Sequence, residues 1–565
     1  MFNNTNRIIT LSLISVTITY SIVQALGIYR FSYDAYTHMF FADHYRRDWF
    51  NLWDERWYGG FSVTTYPPLT HQLTALVSFV TGVEVAYQLM SVISAIFLTY
   101  SVYLYSRIFL SNEEAQYAAL VTAFLPAVGV TLNGFGQLPT VFSTAIVLMS
   151  AKSYHEYLST CSRLSLIKVI LWTVVAGLAH HLSFFLFLPV AFIPVTVKHF
   201  RSMRFRVFRL SLIYITISLV ILLVIIFPFI TYTLTSVSMV EIPHGSRENI
   251  FTNPALSAIF FWSMYGYTVF LLPNMLAIAV RKREMFPHFI IFILLFLYGL
   301  GGTTPLPKIT LGPLWHILTY DRFAFWAAIT YAPFLGLMIK DADIFVKKYY
   351  IGERKAQSHP KIKLLTVALL LGGLITCYAI SSGMIVAFQL QPTQQLDEQQ
   401  IEEIVTFLDK NNQWMYATLG LANQRILLSI KTIAPYIDGG YNQAKTLDIL
   451  RMSGVESIDG AKYFPNGLSF LKEVILEGAN NGLRYIVSAD DYYDPILREN
   501  GLRPLFTLEG AKRVTVWEIP YATLSKQKPV QFHHPISVIL WSLGPVTLMA
   551  ATLFVEVLCR RVDKT

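Results

Sequence analysis

Long apolar runs, separated by short polar segments, fill most of the chain. Most runs are about 20 residues long, the length that an α-helix needs to cross the bilayer core. The pattern therefore predicts a polytopic α-helical membrane protein with about twelve transmembrane helices. The predicted helices are 8–28, 86–106, 115–131, 139–151, 167–179, 182–197, 209–232, 257–280, 286–301, 323–339, 364–388 and 534–557.

Clusters of lysine and arginine set the predicted orientation of these helices. Loops rich in Lys and Arg stay on the cytoplasmic side of a membrane, so we expect both termini to be cytoplasmic. The cationic clusters lie at 152–168, 198–209, 281–283, 340–363 and 560–564. The exterior segments are then 29–85, 132–138, the turn at 180–181, 233–256, 302–322 and 389–533.

One further apolar run, 66–82, is not counted among these spans. Leu69, Leu73, Leu76 and Val80 recur in it at helical spacing after a pair of prolines. A crossing here would move every later cationic loop to the exterior. We therefore predict a helix that lies on the outer membrane surface. An ordinary transmembrane helix is the alternative.

The composition changes sharply after residue 388. A helical pattern at 396–410 carries apolar residues on one face, and helical segments are also expected at 443–452 and 468–479. Strand-like runs are at 414–419, 484–488 and 513–518. These patterns predict a C-terminal exterior α/β domain. The chain thus divides into a transmembrane part, 1–388, with a large first exterior loop at 29–85, a soluble domain at 389–533, and a final helix and tail at 534–565.

The overall composition excludes several classes of protein. Of 565 residues, 54% are hydrophobic and only 14% are charged, which is too little charge for a soluble protein of this length. The net charge of +9 follows the positive-inside bias of membrane loops, so we expect a lipid bilayer and no nucleic acid as partner. There is no Cys/His cluster, and no metal ligand is assigned.

The first exterior loop carries the main candidate chemistry. Asp34 follows the first helix closely and should lie at the membrane boundary, where loss of water raises the pKa of a carboxyl group and suits it to general-base work. His38 lies four residues later, on the same face of a helix. The alternative is that both are ordinary interfacial polar residues.

A lipid-phosphate ligand would need cations at the outer surface. Arg322 stands at the outer start of the helix predicted at 323–339, where a guanidinium and a helix N-terminus both favour an anion. Lys308, Arg247 and His316 are further candidates. Arg322 could instead anchor to lipid headgroups or pair with Asp321.

Further polar and aromatic residues of the exterior segments are candidates for substrate binding. The loop 241–249 could act as a mobile flap, although solvated charge is usual in a loop. His180 and His181, in the exterior turn at 180–181, could hydrogen-bond a substrate, although interfacial histidines with local partners are more common. The candidates are Trp57, Tyr58, Asn133, Gln137, His180, His181, His244 and His316.

Several short motifs resemble a known family. They are Asp34 and His38 after the first helix, the Trp57–Gly60 patch, the YPP sequence at 66–68, APYIDGGYNQ at 434–443 and GLRYIVS at 482–488. Together they resemble the membrane family labelled 6-pyruvoyl-tetrahydropterin synthase-related, which in turn is similar to the type C (GT-C) glycosyltransferases that use lipid-linked sugar donors. The three-histidine zinc site of the soluble synthase is absent from the exterior segments.

The resemblance implies that Asp34 activates the acceptor hydroxyl or supports a divalent metal. Type C enzymes often carry a second acidic residue in the second exterior loop. Here that loop, 132–138, offers Asn133 and Gln137 but no carboxylate. The departure favours a metal-free mechanism or an inactive relative, and no cofactor is certain.

The leading hypothesis is a glycosyltransferase of the cell membrane and cell envelope. It would move a sugar from a polyprenyl-phosphate donor to a hydroxyl of a glycan, lipid or protein acceptor on the exterior face, with inversion. A transporter or flippase is the first alternative, but it predicts ionisable residues deep within the helices, whereas here they cluster at helix ends. A non-catalytic scaffold is the second alternative.

Overall fold

The computed structural model describes most of the chain. Most of the predicted helix 364–388 and of the cationic loop 340–363 lies outside the described residues. The described residues are 7–200, 204–235, 239–299, 305–316, 318–346, 372–373, 378, 395–524 and 534–562.

The N-terminal part is a bundle of helices. Six described helical segments are long and apolar enough to cross a membrane, or up to eight if each of two bent pairs forms one span. This confirms a helical membrane protein, and the count of twelve spans stays a prediction. The helices are α1 Arg7–Ala25, α2 Ala35–Arg47, α3 Leu69–Thr81, α4 Val83–Ser106, α5 Asn112–Ala123, α6 Pro126–Gly129, α7 Leu138–Thr160, α8 Arg163–Ala179, α9 Leu188–Phe200, α10 Arg204–Ile225, α11 Phe227–Thr235, α12 Pro254–Tyr265, α13 Leu272–Arg281, α14 Phe286–Gly299, α15 Leu306–Leu311 and α16 Asp321–Val346.

Two helices that the sequence predicts as continuous are broken. The segment predicted at 115–131 bends by 47° between α5 and the helical turns that follow it. Leu125 is extended there because a residue before proline avoids helical geometry, and Pro126 starts the next helix. The segment predicted at 257–280 breaks at Gly266, whose φ of 52° is in the left-handed region.

Helix α3 does not run from one end of the bundle to the other. Near its start the Thr70 hydroxyl donates to the carbonyl of Ala179, and just past its end Glu84 pairs with Arg30 beyond the first helix at 3.0 Å. Both contacts lie at the outer end of the bundle. Thirteen residues of helix are about 20 Å long, shorter than a bilayer core of about 30 Å. The predicted helix is therefore present as a non-spanning element.

The C-terminal part of the apolar stripe of α3 faces away from the protein, whereas Leu69 at its start is buried. Leu76 is 42% exposed and Val80 is 90% exposed, whereas the polar residues His71, Gln72 and Thr74 are buried against the bundle. This arrangement fits a helix that presents its apolar side to lipid.

The opposite end of the bundle gathers charged residues from several predicted cytoplasmic loops. Lys168 lies 2.8 Å from both Glu156 and Glu556, and Glu114 lies 3.3 Å from Lys282 and 3.6 Å from Lys340. The loops that carry the cationic clusters therefore meet at one end. Which side of the membrane this end faces remains a prediction.

The C-terminal domain is an α/β unit with one mixed sheet. The strands β3 Met415–Leu419 and β4 Leu483–Ser488 are parallel, and β5 Arg503–Leu508 and β6 Val514–Glu518 complete the order β3-β4-β6-β5. The three predicted strands are present. β5 was missed, and the helix predicted at 443–452 is mostly loop. The remaining helices are α17 Glu398–Lys410, α18 Gln424–Lys431, α19 Asp448–Arg451, α20 Gly467–Asn480, α21 Asp494–Glu499 and α22 Pro535–Val562.

The first exterior loop is a folded platform for this domain. It contains α2 and a short hairpin of β1 Trp53–Asp54 and β2 Phe61–Ser62. Arg56 forms buried ion pairs with Asp43 at 2.6 Å and Asp54 at 2.7 Å. Nothing in the sequence distinguishes these two carboxylates from solvated loop residues, yet both are buried. Burial by itself would raise the pKa of Asp43, but Arg56 and Arg47 lower it.

Trp57 and Tyr58 join the platform to the soluble domain. The Trp57 indole donates to Ser429 at 2.8 Å, and the Tyr58 hydroxyl donates to the carbonyl of Tyr441 at 3.0 Å. The backbone at these two residues also forms a bridge with the backbone of Tyr436. Both rings are fully buried. Their environment gives them a docking role in this structure, not contact with a substrate.

Candidate active site at the outer end of the bundle

Backbone contacts between the first two exterior loops fix the position of Asp34. Its N–H donates to the carbonyl of Phe135 at 2.9 Å, and its own carbonyl accepts the N–H of His38 at 3.0 Å as α2 begins. Gly136 has a φ of +72°, and a Cβ there would lie 2.5 Å from the backbone nitrogen of Ala35. The second loop can approach this closely only because that residue is glycine.

The Asp34 carboxylate has an environment suited to accepting a proton. Its side chain is partly exposed in a cleft and makes no hydrogen bond or ion pair with any residue that the structure describes. Burial raises the pKa of Asp34 to about 7, with Asp321 and Glu456 contributing and Arg322 acting in the opposite direction. A carboxylate with this pKa is a competent base at neutral pH.

Arg322 stands in the first turn of α16 and faces the same space. Its Nε lies 3.4 Å from the Thr140 hydroxyl, and its Nη1 donates to Thr319. Among the described residues it forms no ion pair, so the alternative of a pair with Asp321 is not realised. The guanidinium therefore retains donors for an anion.

Gln137 reaches Asp321 instead. Its amide donates to Oδ2 of Asp321, while Oδ1 of the same carboxylate is buried and has no hydrogen-bond partner in the part of the chain that the structure describes. A buried, unpartnered carboxylate oxygen is costly. This oxygen is consequently a candidate contact for a substrate hydroxyl.

Four histidines and Tyr441 surround the ring of Tyr66. Nδ1 of His38 lies 3.0 Å from Nε2 of His71. Burial lowers the pKa of His38, and it lowers the pKa of His71 to about 3, so both side chains are neutral. Two ring nitrogens of this cluster, Nε2 of His180 and Nδ1 of His181, are buried and have no hydrogen-bond partner among the described residues. The centroid distances from Tyr66 are 5.6 Å to His38, 5.1 Å to His71, 6.0 Å to His180, 5.8 Å to His181 and 5.3 Å to Tyr441.

The loop that contains His244 and Arg247 is tied down. Three groups of the Arg247 guanidinium donate to the carbonyls of Leu318, Ile242 and His316, and Glu241 lies 3.6 Å away. Arg247 therefore joins two outer loops, and three of its five N–H donors are already in use.

The other predicted residues are divided between the site and its surroundings. His244 stands edge-on to Tyr33 at 6.4 Å and faces the site, and burial lowers its pKa. His316 pairs with Glu241, and Lys308 is exposed above Trp315.

Asn133 is not in this site. It bridges Gln24 at 2.7 Å and Tyr378 at 3.2 Å inside the bundle.

Sequence reasoning missed part of this cluster. Tyr66 and His71 were read only as parts of a surface helix, Asp321 only as a partner of Arg322, and Tyr441 and Glu456 not at all. The YPP motif and the Asp-Arg doublet were the available signals. Across the described ranges there is no group of three or more His, Cys, Asp or Glu side chains that could hold a metal ion.

Comparisons with known proteins bear on the fold. No family model matches the chain, and a search of curated proteins finds no match. Among solved structures, the oligosaccharyltransferase of Archaeoglobus fulgidus is similar with a TM-score of 0.53 at 12% identity, over 87% of this chain and 71% of that one. ArnT from Cupriavidus metallidurans bound to undecaprenyl phosphate has a TM-score of 0.52 at 13% identity, over 90% and 99%. The chain has the type C glycosyltransferase fold.

A third type C structure extends the likeness. Arabinofuranosyltransferase AftD from Mycobacteria has a TM-score of 0.52 at 11% identity, over 90% of this chain and 42% of AftD. Identities this low establish the architecture alone. The structural similarities confirm the expected type C fold. The resemblance to the 6-pyruvoyl-tetrahydropterin synthase-related family remains a prediction.

Proposed function

We propose that the chain is a type C glycosyltransferase that moves a sugar from a polyprenyl-phosphate donor to an acceptor hydroxyl. The observation that carries the proposal is the meeting of a carboxylate, Asp34, with a guanidinium, Arg322, neither of which forms an ion pair with any described residue. A base and an anion-binding group are the two parts that this reaction requires. The undecaprenyl phosphate in the similar ArnT structure supports a lipid-phosphate donor.

The donor phosphate would bind at Arg322. A guanidinium holds phosphate oxygens with paired hydrogen bonds, and the dipole at the start of α16 also favours an anion. The lipid chain would remain in the bilayer beside the bundle. The unpartnered nitrogens around Tyr66 would hydrogen-bond the phosphate or the sugar, because each of them otherwise stays buried without a partner.

The chemical step would be a direct displacement. Asp34 takes the proton of the acceptor hydroxyl, and the oxygen attacks the anomeric carbon as the bond from that carbon to the phosphate oxygen breaks. The polyprenyl phosphate leaves with its charge held by Arg322, so a general acid is not required. Attack from the face opposite the leaving group inverts the configuration. No step depends on a metal.

A transfer assay with purified protein tests the proposal. Asp34→Asn keeps the size of the side chain but removes its basicity, so turnover should fall roughly 100-fold or more, the usual scale for losing a general base. Asp48→Asn is the matched control, because Asp48 is exposed in the same loop. Asp43 is unsuitable as a control because it is buried in ion pairs with Arg46, Arg47 and Arg56.

Equal activity in both variants would remove Asp34 from the reaction. A wild-type chain that transfers sugar from no lipid-linked donor would contradict the transferase. If such a chain moved a lipid-linked sugar across a vesicle membrane, it would act as a flippase.

A further inference from the structure

A second polar space opens directly beside Asp34. A cleft of about 630 Å³ lies between the soluble domain and the first exterior loop. Its floor on the domain side is Gly420 and Ala489, which directly follow the parallel strands β3 and β4. Ligands of α/β sheets bind outside the carboxyl ends of such strands. Tyr33, Asp34 and Thr37 form the opposite wall.

The charges that line this cleft largely neutralise one another. Lys462 pairs with Asp490, and Arg513 lies 2.9 Å from Asp491. Asp459 accepts the backbone N–H groups of Leu421 at 3.0 Å and Ala422 at 2.8 Å. The cleft is therefore highly polar without a strong excess of either sign, which suits an uncharged ligand with many hydroxyl groups better than an anion.

Specific groups remain available to such a ligand. Arg425 lines the cleft, and its Nε–H is buried with no hydrogen-bond partner in the described ranges. At the mouth, Tyr33 is 50% exposed and Tyr463 is 74% exposed, and their rings offer apolar faces to a sugar. A Cβ at Gly440 would lie 2.5 Å from the Thr37 hydroxyl, so backbone lines the wall at that point.

We propose that this cleft binds a neutral glycan, the acceptor of the transfer reaction. The inference rests on the proposed function and adds to it the class of the acceptor. Because Asp34 lines both the cleft and the site with Arg322, a hydroxyl of the bound glycan can reach the base. A peptide acceptor is less suited, since peptides commonly add along the edge of a sheet, whereas this cleft lies across the ends of the strands.

A glycan array probes the cleft without any donor. The full-length chain in lipid nanodiscs would be applied to an array of neutral, sulfated and phosphorylated glycans. We expect retention on neutral glycans. Arg425→Lys and Tyr463→Ala should each weaken retention roughly fivefold to tenfold, the scale of one hydrogen bond or contact. Arg503→Lys and Tyr521→Ala, at exposed positions outside the cleft, should leave retention unchanged.

Three outcomes would overturn the inference. They are binding restricted to anionic glycans, no binding to any glycan, and neutral binding that both cleft variants leave intact. Since the array contains no lipid-linked sugar, its result is independent of the transfer assay with Asp34→Asn. Failure of the acceptor site and failure of the transferase are thus distinguished.

Discussion

The dependence of sugar transfer on pH reports directly on Asp34. Burial raises the pKa of this carboxyl to about 7, whereas an ordinary aspartate has a pKa of about 3.9. Only the ionised form accepts the acceptor proton, so kcat/KM should fall about tenfold for each pH unit below 7. Near pH 5 only about 1% of Asp34 is ionised, and kcat/KM should be roughly 100-fold below its plateau.

A single substitution should move this profile in a known direction. Glu456 faces Asp34 and raises its pKa, so Glu456→Gln removes a negative charge and stabilises ionised Asp34. The acidic limb should then shift to lower pH and leave more activity near pH 6. Glu473→Gln is the matched control, because Glu473 is exposed on α20, outside the site.

The assay is kcat/KM for sugar transfer between about pH 5 and pH 9 with protein in nanodiscs. Burial holds the pKa values of His38 and His71 below their ordinary range, so neither histidine would produce a limb near pH 7. A flat profile down to about pH 5 would refute the assignment of Asp34 as the base. The assignment would also be refuted if Glu456→Gln left the acidic limb of the pH profile in place or moved it to higher pH.

Three further predictions concern the donor, the docking of the soluble domain and the topology. Arg322→Lys should weaken donor binding by about 1–3 kcal/mol because the paired hydrogen bonds are lost. Arg247→Lys is the control and should leave donor binding unchanged. Equal affinities of the two variants in a lipid-phosphate binding assay would contradict the phosphate site. Trp57→Ala should destabilise the docked domain by about 3–5 kcal/mol, which limited proteolysis and thermal unfolding would detect, and an unchanged transition would refute the docking role. Single cysteines should react with an impermeant reagent on intact cells when placed in 389–533 but not in 340–363, and the reverse pattern would overturn the orientation.

The sequence determined the class of this protein because bilayers impose a local rule. A helix that crosses lipid must be mostly apolar over about 20 residues, so the presence of such helices is evident from the sequence. The same local information identified α3, the three predicted strands and the polar residues at helix ends. It also placed Asp34 after the first helix and Arg322 at the start of α16, since both positions follow from helix boundaries.

Contacts between distant segments decided everything else. Asp43 and Asp54 look like solvated loop residues in the sequence, but Arg56 buries them in ion pairs. Trp57 resembles an exposed aromatic ligand and is instead packed beneath a domain that follows it by hundreds of residues. The charges that shift the pKa of Asp34, on Asp321, Arg322 and Glu456, come from two distant regions of the chain. A pKa depends on which charges fold around a group, and no local pattern contains that information.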